Sequence, residues 1–315
     1  MSVAFATSER VFERFANPAV VCAGWYPVAR AAALKPGDVR RVWIGERDLV
    51  LYRGLDGRLC ALDRACAHLG ADLAQGTVVA QGLRCAFHAW CWSADGSCAS
   101  GSGVAARRRM RTYAVREKWG LAWVWAGDAP AYELPDPDVE NRAHTITLPP
   151  QRLNVHPHVM LGNGLDVTHV VPVHRFRFEA QPQIHFDPPH RIAVDVHARF
   201  APTWMRRLLR LAGRDARWRF TNLGPSLAWV RVTHPTPFEL VWAGTPRRGG
   251  GAAARTIFFL PRWSSLVRAL PMMTATTWAD RKVLDNVEFR AGFVASDAVF
   301  SAYAGLVEAM PEWTA

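Results

Sequence analysis

Several signals that mark other classes of protein are absent from this sequence of 315 residues. It has no apolar run of about 18 residues, which a membrane-spanning helix needs. Its first residues become charged early, at Glu9 and Arg10, and they lack the apolar core of a signal peptide. The G-x-G-x-x-G fingerprint of a nicotinamide-binding domain does not occur. We therefore expect a globular chain that cannot take electrons from a nicotinamide by itself.

Cysteine and acidic residues are both scarce. The six cysteines are Cys22, Cys60, Cys66, Cys85, Cys91 and Cys98. Their spacing indicates no disulfide framework, so we predict a cytoplasmic protein. Asp and Glu number 27 against 38 Lys and Arg, which gives a net charge of +11. This charge suits nucleic acid, an anionic membrane surface or an acidic protein. Because no nucleic-acid motif is present, we expect no nucleic-acid partner.

The strongest motif lies between residues 66 and 88. It reads C-A-H from residue 66, then sixteen residues, then C-A-F-H from residue 85. Zinc could accept two thiolates and two imidazoles in a tetrahedron, although zinc fingers tend to place both cysteines before both histidines. A Rieske [2Fe–2S] centre fits better, because one iron takes two thiolates and the other takes two imidazoles. We therefore predict that Cys66, His68, Cys85 and His88 ligate such a cluster.

Residues 20–127 resemble the N-terminal domain of Rieske non-haem iron oxygenases. The resemblance is carried by W-Y-P from residue 25, C-A-H-L-G-A-D-L from residue 66 and C-A-F-H-A-W from residue 85. The family usually has proline after each cysteine and often glycine after the second histidine, where this chain has Ala67, Ala86 and Ala89. All three are small residues, so the resemblance still implies cluster ligation.

The resemblance implies an α+β protein of two domains. Short β segments with turns at Asp56-Gly57 and Asp95-Gly96 precede a proline-rich passage at residues 129–137. We predict an all-β Rieske domain with an N-terminal extension over residues 1–130. A catalytic mononuclear iron domain follows over residues 131–315. From the resemblance, it is a curved antiparallel sheet around a long C-terminal helix, a helix-grip or START-like fold enclosing an apolar pocket.

The residue pattern of the second half agrees with this architecture. Apolar and polar residues alternate in successive segments, which indicates an antiparallel sheet. The predicted strands cover residues 191–200, 216–223, 227–234, 238–244 and 255–260. Residues 279–309 are predicted to be helical. Periodicity alone supports only an α+β class.

A second candidate metal site is the D-x-x-H-x-x-x-x-H motif of Asp166, His169 and His174. On a regular helix His174 would point away from the other two, but Pro172 would break that helix. Two imidazoles and one carboxylate form the facial triad of non-haem Fe(II). Oxygenases of the resembled family carry this spacing after the Rieske domain. The resemblance therefore implies that His169 and His174 bind mononuclear iron and that Asp166 is a bridging carboxylate.

The third iron ligand must be a late carboxylate. The candidates are Asp280, Asp285, Glu288, Asp297, Glu308 and Glu312. The segment from Asp280 to Asp285 resembles the late motif of the family, so we predict Asp280, with Asp285 as the alternative. The other histidines lack ligand spacing and are predicted to be surface or core residues, including His234. His156 and His158 could approach the pocket.

The resemblance also implies an enzyme with partners. The family uses O2 and electrons that a separate NAD(P)H-dependent reductase or ferredoxin supplies. Its two metal sites are too far apart within one subunit, so the family forms head-to-tail homotrimers. His88 of one subunit would then face Asp166 of the next, which gives Asp166 a catalytic role.

Residues 66–98 most resemble ketosteroid hydroxylases and Neverland-type cholesterol desaturases, through Trp90, Trp92, Gly96 and Cys98. We therefore favour a monooxygenase that hydroxylates, demethylates or desaturates a sterol, steroid or similar polycyclic apolar substrate. The alternative is a demethylase of a small aromatic acid, whose carboxylate an arginine could pair. Outside the enzymes, a Rieske electron-transfer protein with a lipid-binding domain and a zinc-stapled lipid-binding protein stay open.

A basic amphipathic stretch follows the first strand of the predicted sheet. It reads W-M-R-R-L-L-R-L from residue 204 and predicts a short helix. Such a helix suits peripheral docking on the inner membrane face. The alternative is a helix packed on the body with its arginines in water.

Overall fold

The computed structural model describes residues 12–100, 103, 107–137, 144–187, 189–200 and 215–314. They belong to two compact units. The first unit comprises Ala23–Ala131 with Arg247–Gly249 and Trp313–Ala315, and the second comprises the segment ending at Cys22, Tyr132–Pro246 and Gly250–Glu312. The N-terminal extension that we placed with the Rieske domain thus lies in the second unit. Our domain limits of 1–130 and 131–315 stay a prediction.

The first unit is built from short strands. They are β1 Gly24–Arg30, β2 Val39–Ile44, β3 Arg47–Arg53, β4 Leu59–Asp63, β5 Thr77–Val79, β6 Gly82–Arg84, β7 Cys91–Trp92, β8 Thr112–Tyr113, β9 Val115–Lys118 and β10 Leu121–Ala126. Three antiparallel sheets result, in the orders β1-β10-β9, β2-β3-β4-β8 and β5-β6-β7. Every residue of β10 is buried, because apolar side chains cover both of its faces. The Trp25 and Trp125 rings meet edge to face there, at 5.5 Å.

The smallest sheet positions the two C-x-H and C-x-x-H boxes. The first box lies in the connection from β4 to β5, and the second box is the connection from β6 to β7. Leu73, Leu83 and Trp92 are completely buried beside them and form a local core. The cluster loops are therefore anchored on a packed sheet, although they are irregular themselves.

The second unit contains the remaining strands and helices. Its strands are β11 His144–Thr147, β12 Gln151–Leu153, β13 Phe176–Phe178, β14 Gln183–Asp187, β15 Arg191–Phe200, β16 Asp215–Leu223, β17 Leu227–His234, β18 Phe238–Pro246 and β19 Ala252–Leu260. Its helices are α1 Pro157–Leu165, α2 Val170–His174, α3 Trp263–Leu284 and α4 Ala298–Glu308. The nine strands form one antiparallel sheet with the central order β11-β19-β18-β17-β16-β15-β13. The predicted fold class is confirmed.

The sheet presents one apolar face, because alternate residues of each strand point the same way. Phe220 of β16 lies opposite Val230 of β17, which in turn lies opposite Leu240 of β18. Leu240 lies opposite Phe258 of β19. This row of apolar side chains crosses four strands of the sheet.

The predicted limits of the C-terminal helix were wrong. The prediction was a helical stretch over residues 279–309 punctuated by Gly292 and Gly305, but α3 begins at Trp263 and ends at Leu284, and α4 begins only at Ala298, beyond Gly292. The early start was missed because Pro271 lies inside α3, where proline removes a backbone donor. No described helix is long and apolar enough to cross a membrane. The predicted basic helix at residues 204–211 lies outside the described residues.

Candidate metal centres and an apolar pocket

The two cluster loops have the same backbone conformation. In the first loop, the Cys66 amide donates to the Ala71 carbonyl at 2.9 Å, and the Gly70 amide donates to the Cys66 carbonyl at 2.8 Å. In the second loop, the Cys85 amide donates to Trp90 at 2.8 Å, and the Ala89 amide donates to Cys85 at 3.1 Å. Each cysteine therefore begins a closed turn, and each turn carries one histidine.

The side chains of these loops lie close together. The rings of His68 and His88 are 4.6 Å apart, and His68 stacks on Trp90 at 4.2 Å. The Trp92 indole N–H donates to Cys66 Sγ at 3.3 Å. Cys66 and Cys85 are buried, whereas His88 is exposed. All four predicted cluster ligands therefore lie in neighbouring loops of one unit.

The chemistry of this donor set fits a metal cluster. Burial raises the pKa of the Cys66 thiol, and the neighbouring Cys85 thiol raises it further, against the hydrogen bonds from Trp92 and the His68 amide. A thiolate pair here needs a cation to be stable. The Nδ1 atom of His68 is also buried and has no hydrogen-bond partner among the described residues. An iron–sulfur cluster would satisfy both the thiolates and the imidazole nitrogen.

The second candidate centre is formed by a broken helix. Asp166 ends α1 and caps the short 3₁₀ turn Val167–His169, because its Oδ1 accepts hydrogen bonds from the Thr168 amide at 2.9 Å and hydroxyl at 2.5 Å. Helix α2 then ends at His174, where Arg175 adopts a left-handed conformation with φ 58°. The break turns both imidazoles toward the same point.

Asp280, near the C-terminal end of α3, completes this group. Its Oδ1 lies 2.9 Å from His174 Nε2 and 3.5 Å from His169 Nε2, and the two Nε2 atoms are 3.1 Å apart. The structure thus places Asp280 beside the imidazoles, whereas Asp285 pairs with Arg281 at 3.1 Å. Asp166 stays outside the triad, with its Oδ2 3.8 Å from His169 Nδ1. Their roles as iron ligands and bridge stay a prediction.

The protonation of the triad also suits a cation. The Asp166 carbonyl oxygen forms a short hydrogen bond with His169 Nδ1, and because a carbonyl can only accept, Nδ1 carries the proton. Burial opposes protonation of the His169 ring, but Asp280 and Asp166 raise its pKa, and a bound metal would replace the proton at Nε2. Burial opposes ionisation of Asp280, yet the two histidines hold its pKa well below the usual range. Two nitrogen lone pairs and one carboxylate oxygen within 4.8 Å fit a divalent metal.

A large pocket opens beside the triad. The space between its walls, part of it open to solvent, is about 960 Å³. Its apolar walls are formed by Val170, Phe176, Ala216, Trp218, Phe220, Val230, Val232, Leu240 and Trp242. Its polar lining residues besides the triad are Asn163, His234, Thr256, Thr276 and Thr277. Among the residues that the structure describes, no lysine or arginine lines this pocket.

The pocket wall differs from the sequence expectations in two respects. His234 was predicted to be a surface or core residue, but it lines the pocket. His156 and His158 do not line the pocket, and His158 is buried against Phe15 instead. The strands that carry Trp218, Phe220 and Trp242 were predicted, but not which of their faces encloses a cavity. The alternation of apolar and polar residues along these strands was the signal that could have identified the inner face.

Comparisons with known proteins agree with the site. Residues 24–114 match the Rieske [2Fe-2S] domain family. The chain is 38% identical over 121 residues, 36% of its length, to the oxygenase subunit of 5,5'-dehydrodivanillate O-demethylase from Sphingobium sp. strain SYK-6, covering 28% of that protein. It is 35% identical over 170 residues, 48% of its length, to the cholesterol 7-desaturase nvd of Bombyx mori, covering 35% of that protein. The matches thus span about a third of these relatives.

A solved structure extends the likeness to nearly the whole chain. Dicamba monooxygenase bound to 3,6-dichlorosalicylic acid superposes with a TM-score of 0.68 at 20% identity. The match covers 90% of this chain and 96% of that one. The fold is therefore shared. The predicted Rieske [2Fe–2S] domain and the predicted relationship to cholesterol desaturases are confirmed.

Proposed function

We propose that this chain, which carries a Rieske [2Fe–2S] domain and the fold of a monooxygenase, is the oxygenase component of a Rieske-type monooxygenase. It uses O2 and electrons from a separate protein to oxidise a sterol, a steroid or a similar polycyclic apolar substrate. The observation that carries the proposal is the triad of His169, His174 and Asp280 beside an apolar pocket, in a chain that also has the cluster domain.

Each part of the proposed site has a separate task. Cys66, His68, Cys85 and His88 would hold the [2Fe–2S] cluster, and His169, His174 and Asp280 would hold a mononuclear Fe(II). When bound, the cluster supplies single electrons and the iron supplies the activation of O2. The Asp166 carbonyl keeps His169 in the tautomer that directs Nε2 at the site. The apolar walls exclude water and orient the substrate.

The dimensions of the pocket favour a polycyclic substrate. At one end of the pocket the lining includes His234 of β17. At the other end it includes Trp242 of β18 and Thr256 of β19, which are paired side by side with Ala228 of β17. Six residue steps along β17 separate the two ends, which is about 20 Å at ~3.3 Å per residue. That length exceeds what one aromatic ring needs. The cholesterol 7-desaturase relative supports the same substrate class.

A small aromatic acid is the second candidate substrate. The O-demethylase subunit among the relatives favours this alternative, and His234 could pair with a carboxylate when protonated. The described part of the lining contains no lysine or arginine, which weighs against it, because an arginine is the usual partner of a bound carboxylate.

The proposed reaction requires partners. We infer a separate NAD(P)H-dependent reductase or ferredoxin, whose approach the net charge of +11 would favour if that carrier is acidic. We also infer a head-to-tail homotrimer in which His88 of one subunit meets Asp166 of the next. Two observations support electron transfer between these residues. His88 is exposed at a loop tip, and the hydrogen bonds that Asp166 accepts from Thr168 go to Oδ1 and not to Oδ2.

The proposed location is the cytoplasm, with peripheral contact to the inner membrane face. None of the six cysteines forms a disulfide, which suits a reducing compartment.

Metal analysis of the purified chain tests the proposal. About three irons and two acid-labile sulfides per chain are expected, together with the EPR signal of a reduced Rieske centre after dithionite. About two irons per chain would instead favour an electron-transfer protein with a lipid-binding domain. Zinc without iron, in a colourless preparation, would favour a zinc-stapled lipid-binding protein.

Substrate class is tested by binding and turnover with an added reductase. A sterol or 3-ketosteroid should bind and stimulate O2 consumption, whereas a methoxylated aromatic acid should not. The reverse result would establish the second candidate.

A further inference from the structure

One face of α3 exposes large apolar side chains to solvent. Trp263 is 57% exposed, Val267 76%, Leu270 41% and Trp278 69%. Large apolar residues on a surface are ordinary when they are isolated, but a continuous set marks an interaction site. We call these four residues the α3 stripe.

The α3 stripe is aligned along the helix. At about 100° per residue, its four side chains fall within an arc of about 80°. From Trp263 to Trp278 the stripe extends about 22 Å at ~1.5 Å per residue. The exposed Thr274 lies within the same arc. The result is a straight, narrow apolar ridge with a tryptophan at each end.

The opposite side of the same helix lines the pocket. Thr276, Thr277 and Asp280 are lining residues, and they lie about 60–160° around the helix from the middle of the stripe. The helix therefore has pocket residues on one side and an exposed apolar ridge on another, at one end of which Trp263 stacks on His144 at 4.3 Å. An apolar compound that leaves a bilayer beside this ridge would be close to the wall of the pocket.

Basic residues lie at both ends of the ridge. Arg262 precedes Trp263 and Lys282 follows Trp278, whereas the nearby Arg281 is paired with Asp285 at 3.1 Å. The Asp280 carboxylate is directed at the triad histidines. Lys282 Nζ lies 5.8 Å from the ring centre of Trp278. Tryptophan and lysine side by side at the end of an apolar ridge suit the headgroup region of an anionic bilayer.

We propose that the α3 stripe docks the protein on an anionic membrane surface, with α3 lying parallel to the bilayer plane. The four apolar side chains enter the boundary between headgroups and acyl chains, while Lys282 stays among the anionic headgroups. This inference deepens the proposed function by naming the surface from which an apolar substrate is taken. It uses residues distinct from the basic stretch at residues 204–211.

The ridge is too small to hold a second copy of the chain by itself. A whole aromatic side chain buries about 150–250 Å², so the exposed fractions of these four side chains sum to several hundred Å². A standard protein–protein interface buries about 800 Å² on each partner. Shallow insertion of a few large side chains, assisted by positive charge, is sufficient for reversible membrane association.

Vesicle co-sedimentation of the full chain tests the docking. The probes are vesicles of phosphatidylcholine alone and vesicles with one part in three phosphatidylglycerol. We expect binding to the anionic vesicles that weakens as salt is raised, because salt screens the basic residues. Val267→Glu should lower the apparent affinity at least tenfold, and Trp278→Ser should do so as a second variant.

Val294→Glu is the matched control, because Val294 is 59% exposed and lies outside α3. It should bind vesicles like the wild type. Equal losses in Val294→Glu and Val267→Glu, or no binding of the wild type to either vesicle, would overturn the docking. A Val267→Glu variant that changes oligomeric state by light scattering would assign the ridge to contact between copies instead.

Unchanged iron content and cluster spectrum in the variants will show that they are folded. The outcome is independent of the proposed function, which the iron count and turnover of the wild type decide. Vesicle binding by a chain that lacks turnover would leave the docking in place. Turnover without vesicle binding would remove only the docking.

Discussion

Ala89 occupies, in the second cluster loop, the left-handed position that Gly70 occupies in the first. The φ angles are 58° at Ala89 and 76° at Gly70, and the amide of each donates to the carbonyl of the cysteine four residues earlier. A side chain strains this conformation by about 1–2 kcal/mol, whereas glycine adopts it freely. The second loop is therefore closed at a conformational cost that the first loop avoids.

Replacing Ala89 with glycine should stabilise the protein. Relief of strain exceeds the entropy that glycine adds to the unfolded chain, so we expect a gain of about 0.5–1 kcal/mol in the free energy of unfolding. Gly70→Ala should lose a similar amount through its backbone alone, since an added Cβ would have no atom within 4 Å. Denaturant titration of the cluster-loaded protein measures both. Ala86→Gly is the control, because Ala86 belongs to the same loop but does not adopt a left-handed conformation. This variant should lower the free energy of unfolding, and an increase would contradict strain at Ala89 as the cause.

Asp280→Ala should remove one iron per chain and leave the cluster spectrum intact. The reason is that Asp280 is the carboxylate beside His169 and His174, with Oδ1 2.9 Å from His174 Nε2. Iron analysis and EPR of the purified variant measure the two effects. Asp285→Ala is the matched control, because Asp285 pairs with Arg281, and it should keep about three irons. Iron loss in the control instead would make Asp285 the ligand.

The candidate metal residues could be predicted because most of them belong to short motifs. Cys66 to His88 is a local spacing, so its donors could be chosen from the residue types alone, whereas His169 and His174 are close in sequence but were assigned to iron through the resemblance. Asp280 could be chosen only through the resemblance, since it lies more than a hundred residues beyond His174. Residues of the pocket wall have no such local signal.

His234 illustrates what could not be predicted. It follows Val232 on the inner face of β17 and lies opposite Arg217 across a register shift. Its place in the pocket depends on that pairing and on the curvature of the sheet, neither of which is encoded by neighbouring residues. Likewise, the early start of α3 depends on packing that overrides the effect of Pro271 on helix propensity.

Gly164→Ala should narrow the pocket. A Cβ at Gly164 would lie 1.9 Å from the tip of the Phe220 ring, which lines the wall. The ring must therefore move into the cavity, at a cost of about 1–3 kcal/mol, and substrate affinity should fall about tenfold or more. The double variant Gly164→Ala, Phe220→Ala should restore binding. Gly292→Ala, with open space around it, should leave substrate binding unchanged; a weaker affinity there would remove the steric explanation.

Acid should destabilise the second unit through His156 and His158. Burial lowers the pKa of His156 to about 4, and burial together with His156 lowers the pKa of His158 well below its ordinary value. Both are neutral in the folded chain while the unfolded chain takes up protons below about pH 6.5. The two histidines therefore cost no stability above that pH, and the free energy of unfolding falls as the pH drops toward 4.

The expected loss from His156 alone is up to about 3 kcal/mol between pH 6.5 and 4. His156→Gln should flatten this part of the pH profile, measured by thermal unfolding in matched buffers. His185→Gln is the control, because His185 is exposed and pairs with Asp195 at 2.8 Å. If His156→Gln leaves the profile unchanged, protonation of His156 does not cause the acid loss.

Asp166→Asn should separate the charge of Asp166 from its structural role. An asparagine oxygen can still accept the hydrogen bonds from Thr168, and the backbone carbonyl that holds His169 is unchanged. Both metal groups should therefore bind as before, while turnover falls at least a hundredfold if the carboxylate carries electrons between subunits. Single-turnover oxidation of the pre-reduced cluster measures that step directly. In mixed oligomers of His88→Ala and Asp280→Ala chains, activity should reappear, because an intact cluster in one chain can serve an intact iron site in its neighbour. If oligomers that are shown to contain both chains stay inactive, the result would argue against electron transfer between subunits.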